Sequence, residues 1–260
     1  MENKYIFIIT LFFCFILCYF KKDKIIIPKI IHKIYIQDNG TIPEKLEKHI
    51  IDSHNSWLIH NPGYKIKYWS LNDCREYLKK NFSEEYIKTF DCIKPYACKS
   101  DFFRYCIIYN EGGWYSDWKQ VCLKNNLLDK LSDKEFICFY DKGNNYVKKN
   151  QCIAQAFFGG IKNHPILKDC INNVIYNVNN KIYGNCGLDP TGPCLIGNII
   201  KKYNIVINGE FNHLNNNDGD YFDNDLGNII QHKCNKCSKG QDWKNGNNYN
   251  ILWNKKKFYC

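Results

Sequence analysis

Residues 99–119 (KSDFFRYCIIYNEGGWYSDWK) concentrate the side chains that could do chemistry. Asp101 and Arg104 stand three apart, so on a helix they share one face. Gly112 and Gly113 permit a tight turn. A strand after that turn would present Tyr115, Asp117 and Lys119 on one side, because strand side chains alternate. Two carboxylates, a guanidinium and an ammonium would then face one another. Carboxylates accept hydrogen bonds from hydroxyls or hold a metal, and the two cations can neutralise a diphosphate. The set suits a sugar diphosphate. The plainer alternative is an ion pair, Asp101 to Arg104, on a helix surface beside an ordinary strand. Arginine usage adds weight to the first reading. Of 36 basic residues only Arg75 and Arg104 are arginine, and a guanidinium offers a bidentate grip that an ammonium lacks. Arg75 has no such company.

The elements that must position these residues alternate between strand and helix patterns. Residues 25–36 (IIIPKIIHKIYI) read as an entry segment and a buried first strand. Residues 43–60 carry helical spacing through Leu46, Ile50, Ile51, Trp57 and Leu58, and Asn61-Pro62-Gly63 is a turn. Residues 64–69 (YKIKYW) alternate as a strand, and 70–80 form a helix capped by Ser70 with Asp73 in its first turn. Pro95 suits the first turn of a helix over 95–110, and the double glycine ends it. Strands are expected at 114–121, 136–140 and 153–158, and helices at 165–178 and 193–203. From Asn208 onward the chain is rich in Asn, Asp and Gly and reads as loops with a few short strands. The alternation predicts an α/β domain.

Composition sets the outer limits. With 260 residues, 45% of them hydrophobic and 16% aromatic, the chain can bury one substantial core and is not disordered throughout. The net charge of +10 comes without a basic helix or an aromatic–basic stripe, so nucleic acid is not an expected partner. Of fifteen cysteines, Cys14 and Cys18 lie in the apolar N-terminus, which leaves an odd number and excludes a fully paired framework. Cys234 and Cys237 form a lone CxxC. A structural zinc site needs four ligands, so a disulfide or plain surface thiols is the expectation there. Residues 5–20 are apolar apart from Thr10, with Lys4 before them and Lys21, Lys22 and Lys24 after. We expect segment 1–24 to be an uncleaved signal-anchor, crossing the membrane once, with a cleaved signal peptide as the alternative, and the catalytic domain at 25–260. The flanking lysines place that domain in the cytosol, whereas the sequons at Asn39 and Asn81 point to the lumen; both orientations stay open.

Residues 99–119 resemble the DXD region of glycosyltransferase family 32, which includes the yeast-type initiating α-1,6-mannosyltransferases. The region is also similar to the sugar-transferring domain of large clostridial toxins. The resemblance rests on Ser100-Asp101, Arg104-Tyr105, Ile108-Tyr109 and Gly112-Gly113-Trp114-Tyr115-Ser116-Asp117. It extends, in the family's order, to Ile27-Pro28-Lys29-Ile30-Ile31-His32, to Asn61-Pro62-Gly63-Tyr64 with Trp69, to Asn163-His164-Pro165 and to Thr191-Gly192-Pro193. It implies a GT-A fold, a Rossmann-like sandwich with the donor at the C-terminal edge of the sheet. It implies transfer of a hexose from a nucleotide sugar, with retention at the anomeric carbon, to a glycan, glycolipid or protein acceptor. Asp101, Arg104, Asp117 and Lys119 would be catalytic. Gly112, Gly113, Trp114 and Tyr115 would bind the donor.

One departure matters. The second Asp of DXD is the usual anchor for Mn²⁺ or Mg²⁺, and here Lys119 takes its place. An ammonium cannot ligate a divalent ion. Either Lys119 supplies the charge that a metal would, or a metal binds through Asp117 with a tail residue such as His232 or Asp220, or the site is inactive. Trp243 and Trp253 are read as packing for the C-terminal segment rather than as platforms for a base or sugar ring. Two further functions fit the same residues: a glycoside hydrolase using Asp101 and Asp117 as a carboxylate pair, and a relic that binds nucleotide sugar or glycan without turnover.

Overall fold

The computed structural model describes residues 27–143, 145–214, 218–232 and 246–260. The apolar run at 5–20, Cys234, Cys237 and Trp243 lie outside the described residues. Among the described residues no helix is long and apolar enough to cross a membrane.

The elements follow in chain order as β1 (Ile30–Tyr35), α1 (Lys48–His60), β2 (Lys65–Ser70), α2 (Leu71–Asn81), α3 (Glu84–Cys92) and α4 (Tyr96–Glu111). Next come β3 (Gly113–Ser116), β4 (Gln120–Cys122), α5 (Leu127–Leu131), β5 (Phe136–Ile137), β6 (Phe139–Asp141), α6 (Asn145–Lys149) and β7 (Phe157–Gly160). The chain continues with α7 (Pro165–Asn179), α8 (Pro193–Ile200), β8 (Gly209–His213), β9 (Gly219–Asp223), β10 (Gly227–His232) and α9 (Tyr249–Asn254).

The first sheet has the order β2-β1-β3-β7-β5. Strand β1 lies parallel to β2 and β3, and β7 runs antiparallel to both β3 and β5. Both faces are covered, and successive residues go to opposite sides as the period of two requires. Ile34, Tyr115, Phe136 and Phe158 join the core beneath α2, α3, α4, α7 and α8. Ile31, Trp114, Ile137 and Phe157 join a second core with Trp57 of α1 and the inner residues of the other sheet. That other sheet has the order β4-β10-β9-β8-β6.

Several local readings hold. Ser70 Oγ accepts from the Asp73 backbone N–H at 3.2 Å and Asp73 returns the bond to the Ser70 N–H at 2.9 Å, a reciprocal cap on α2. Helix α4 ends at Gly112, whose φ is 70°, and Gly113 follows at φ 104°. A Cβ on Gly113 would meet the Ile30 carbonyl oxygen at 2.7 Å, so the close approach of β3 to β1 requires glycine. His32 makes that junction rigid. Its Nδ1 accepts from the Trp69 indole N–H at 3.1 Å, so the ring proton sits on Nε2 and is donated to the Gly112 carbonyl at 3.1 Å. Burial lowers the His32 pKa to about 4 and keeps the ring neutral.

The expected strand over 114–121 is two strands in different sheets. Strand β3 stops at Ser116 and β4 starts at Gln120, with Asp117, Trp118 and Lys119 as the turn between them. The expected strand over 136–140 likewise divides into β5 and β6. The expected strand over 153–158 starts only at Phe157. Helix α3 was not expected. The Asn-rich tail forms three paired strands, β8 to β10, because Phe211, Tyr221 and Ile230 have an apolar face to cover. Among the described residues the cysteines form two disulfides, Cys92–Cys260 and Cys152–Cys194. Trp253 donates to the Tyr183 carbonyl at 2.6 Å, in keeping with a packing role.

Gly113→Ala is expected to cost about 1–3 kcal/mol through its backbone conformation, and more from contact with Ile30. A urea midpoint equal to that of the unmutated chain would show that β3 can shift without penalty.

Candidate active site

Arg104 is the centre of the site. It projects from α4, is buried, and lies with its guanidinium carbon 4.2 Å from the centre of the Tyr115 ring. Its Nε donates to the Ser100 carbonyl at 3.3 Å, Nη1 to the Gln155 carbonyl at 2.8 Å, and Nη2 to Ser100 Oγ at 3.0 Å. Nη2 also lies 3.4 Å from Asp101 Oδ1 and 3.9 Å from Asp117 Oδ1. Burial opposes its charge, but Tyr115, Asp101 and Asp117 outweigh that and push its pKa upward. Arg104 therefore stays charged, and its fork is directed at protein acceptors that hold the two carboxylates in place.

Asp101, one turn earlier on α4, accepts from Thr191 Oγ1 at 2.8 Å through its other oxygen. Burial raises its pKa to about 6, against the pull of Arg104 and the Thr191 hydroxyl. Asp117 Oδ1 accepts from Tyr115 Oη at 2.6 Å. Burial raises the Tyr115 pKa well above its usual value, so the phenol remains a donor. The strand periodicity expected to bring Tyr115 and Asp117 together is absent past Ser116, yet the two side chains meet through this bond.

Beneath the turn lies Lys33, a residue that sequence reasoning passed over. It is wholly buried in β1 and donates to Ser116 Oγ at 3.0 Å and to the Asp117 carbonyl at 2.9 Å. Burial lowers its pKa to about 7, partly offset by Asp117. Its period within β1 gave no hint, because a lysine at an interior strand position reads as a surface residue. The turn is gripped from the other side as well. The Gln120 carbonyl accepts from Ser53 Oγ at 2.5 Å and from Trp57 Nε1 at 2.8 Å.

Two cavities meet at Ala97, Arg104 and Asp117. The smaller, about 220 Å³, is lined by Asp101, Asp141, Gln155, Tyr221 and Tyr249 among others. The larger, about 720 Å³, includes Tyr35, Tyr96, Trp118, Lys119 and His232 in its wall. Trp118 packs against Tyr35 at 5.0 Å and edge-on to His54 at 4.6 Å. Asp141 ends β6 and pairs with His213 at 2.7 Å. Asp141 and Gln155 also carried no sequence signal, since each reaches the site from a remote segment.

The remaining expected site residues sort clearly. Tyr115, Asp117, Lys119 and His232 share the wall of the larger cavity. Gly112, Gly113 and Trp114, expected to bind a donor, line neither cavity. They are buried, the glycines at the helix-to-strand junction and Trp114 stacked on Phe157 at 5.7 Å. Asp220 also lines neither cavity. His232 Nδ1 is buried without a hydrogen-bond partner, and its pKa is lowered by burial and Lys119 against the pull of Asp117. Asp117 and His232 are the expected metal ligands that share a cavity wall, and a bound ligand would have to complete any coordination of a divalent ion there. Among the described residues, Asp117 and His232 belong to no close group of three or more metal-ligating side chains.

Residues 47–137 match a family profile described as a glycosyltransferase sugar-binding region containing a DXD motif. This match bears out the resemblance to family 32. An uncharacterised glycosyltransferase of Acanthamoeba polyphaga mimivirus is 36% identical over 153 residues, 59% of this chain and 57% of that protein. Inositol phosphoceramide mannosyltransferase 3 of Schizosaccharomyces pombe is 28% identical over 153 residues, 57% of this chain and 37% of that protein. The aligned part thus spans about half or less of these relatives. The solved structure of the PaToxG glycosyltransferase superposes with a TM-score of 0.52 at 19% identity, over 68% of this chain and 70% of that one, which is a likeness of fold. The matched segment contains Asp101, Arg104, Asp117 and Lys119, while Lys33, Asp141, Gln155 and His232 reach the site from outside it.

Arg104→Lys is expected to lower stability by about 1.5–3 kcal/mol, read as a lower urea midpoint, since the charge-assisted bonds that join Ser100, Asp101, Asp117 and the Gln155 carbonyl are lost. An unchanged midpoint would show that these bonds do not hold the site together.

Proposed function

We propose that this chain is a retaining glycosyltransferase that moves a hexose from a nucleotide sugar to a glycan, glycolipid or protein acceptor. The observation that carries the reading is the meeting of two cavities of different character at Asp117 and Arg104. The smaller offers Asp101 and Asp141, acceptors for sugar hydroxyls. The larger offers aromatic rings for a nucleoside and the Lys119 ammonium for a diphosphate. A nucleotide sugar laid across the junction would put its scissile C1–O bond beside Asp117. Retention is taken from the family resemblance. The apolar run at 5–20 would hold the domain at a membrane.

In this reading Arg104 does not grip the donor. It fixes Asp101 and Asp117, and Lys119 stabilises the departing diphosphate. A divalent ion, if bound between Asp117 and His232, would supply further charge to the same leaving group. A glycoside hydrolase would set its two carboxylates across the sugar ring. Here Asp101 and Asp117 both abut Nη2 of one arginine, which favours transfer.

Two outcomes follow from the charges. With Asp101 titrating at about 6, its carboxylate is ionised above that pH and accepts freely; below it the proton removes charge. Binding of a nucleotide sugar should weaken as pH falls through about 6, and Asp101→Asn should bind weakly with a flat profile, both read by calorimetry. A flat profile in the unmutated chain would break the link to Asp101. Second, nucleoside diphosphate release should survive EDTA, Lys119→Ala should lose it at least tenfold, and Lys119→Asp should make it depend on Mn²⁺. Abolition by EDTA with Mn²⁺ rescue in the unmutated chain would transfer the role to a metal on Asp117 and His232. Donor binding without release under any condition would identify a non-catalytic binding protein.

A further inference from the structure

A second group of potential ligands lies apart from Asp117. Among the described residues, the ligand atoms of Cys186, Asp189 and Cys194 all lie within 4.8 Å of one another. Cys152 is joined to Cys194 by a disulfide, which brings a third sulfur next to this group. Three sulfurs and a carboxylate converge from three segments: the stretch after α6, the loop between α7 and α8, and the first turn of α8.

Asp189 is held in place as a ligand carboxylate should be. It accepts from Tyr146 Oη at 2.9 Å, from the Asn185 backbone N–H at 2.7 Å and from Cys186 Sγ at 3.5 Å. The loop wraps it closely, for a Cβ on Gly184 would meet Asp189 Cβ at 2.4 Å. Cys152 and Cys194 are buried with Val147 in a small cluster separate from the two main cores. The disulfide joins two of the three segments in the oxidised chain. Ile153 and Leu195, beside its two cysteines, pack in the main core, and the Ile153 N–H donates to the Pro193 carbonyl, so the thiols stay near one another when the bond is reduced.

We propose that the reduced chain binds one zinc-class divalent ion through Cys152, Cys186, Cys194 and Asp189. Three thiolates and a carboxylate in a close group suit tetrahedral Zn²⁺. The chemistry balances. Two equivalents of an external thiol deliver two electrons, the Cys152–Cys194 bond breaks to give two thiols, and the reductant leaves as its own disulfide. The ion then displaces one proton from each of the three cysteines. The oxidised chain retains only Cys186 and Asp189 as ligands and should not bind. Disulfide and metal are therefore mutually exclusive cross-links: the first joins two of these segments, and the second would join all three. Either one braces a wall of the smaller cavity, since Gly187, Leu188 and Pro193 line it and Thr191 holds Asp101. The assignment does not rest on sugar transfer.

The test uses Co²⁺ as a spectroscopic probe on the full chain, reduced with a thiol that is then removed anaerobically. One equivalent should produce a thiolate-to-cobalt charge-transfer band and the strong visible bands of a tetrahedral ion, both erased by Zn²⁺. The oxidised chain should give neither. The charge-transfer band should weaken and binding fall at least about tenfold in Cys186→Ser and in Asp189→Asn, while a Cys234→Ser/Cys237→Ser double variant should bind as the unmutated chain does. Two substitutions at the site guard against one of them misfolding. Absence of the thiolate band in a reduced, folded chain would overturn the proposal. So would full binding by both Cys186→Ser and Asp189→Asn, or loss of binding in the double variant.

Discussion

The buried guanidinium of Arg104 is the constraint on which the site depends. Taking such a charge out of water costs several kcal/mol unless every donor finds a partner. An arginine cannot escape by losing its proton. The surrounding chain has to supply acceptors at fixed positions, and it does so from three places. Ser100 and Asp101 come from the preceding turn of α4, the Gln155 carbonyl from the approach to β7, and Asp117 from the turn after β3. Tyr115 closes the underside with its ring and passes a second hydrogen bond to Asp117. One cation thus fixes two carboxylates that belong to different elements.

Asp117 and Asp141 occupy related positions in the fold. The chain passes from the first sheet to the second between β3 and β4, and again between β5 and β6. Asp117 lies in the first passage and Asp141 at the end of the strand that follows the second. Asp117 can face a cavity because backbone leaving one sheet for another is released from the pleat, whereas Asp141 reaches the cavity from the last paired position of β6. The passage at Asp117 is costly to form, since it leaves backbone groups without ladder partners. Lys33, Ser53 and Trp57 satisfy them from below and from the side. A buried lysine under the turn is therefore a structural answer to the same need that places the turn there.

Charge is distributed unevenly around the junction of the cavities. Asp101, Asp117 and Asp141 line the smaller lobe, while Lys45 and Lys119 stand with Glu47 and a neutral His232 in the larger. That partition supports the proposed division into a sugar lobe and a diphosphate lobe. It also gives the replacement of an acidic DXD residue by Lys119 a physical setting: an ammonium in that wall is attractive to phosphate where a second carboxylate would need a metal to be so.

Local chemistry was legible in the sequence. The Ser70–Asp73 cap, the end of α4 at two glycines and the shared face of Asp101 and Arg104 depend on residues a few positions apart, and each was read correctly. The resemblance to a sugar-transferring family rested on such short blocks as well. What the sequence left open depends on contacts between distant segments. The aromatic-rich stretch at 114–121 and the apolar run at 136–140 cannot reveal that a chain changes sheets midway, because strand residues on both sides of each break are buried. Lys33 and Gln155 carry no local mark of their roles; each matters only through a carbonyl or guanidinium that folding brings beside it. Arg104 shows the division most plainly. Its type and its spacing from Asp101 were fixed by the sequence, but only the packing of α4 against the Gln155 segment decided that its fork would be spent on the protein's own acceptors, since a buried charge binds first whatever the fold places nearest to it.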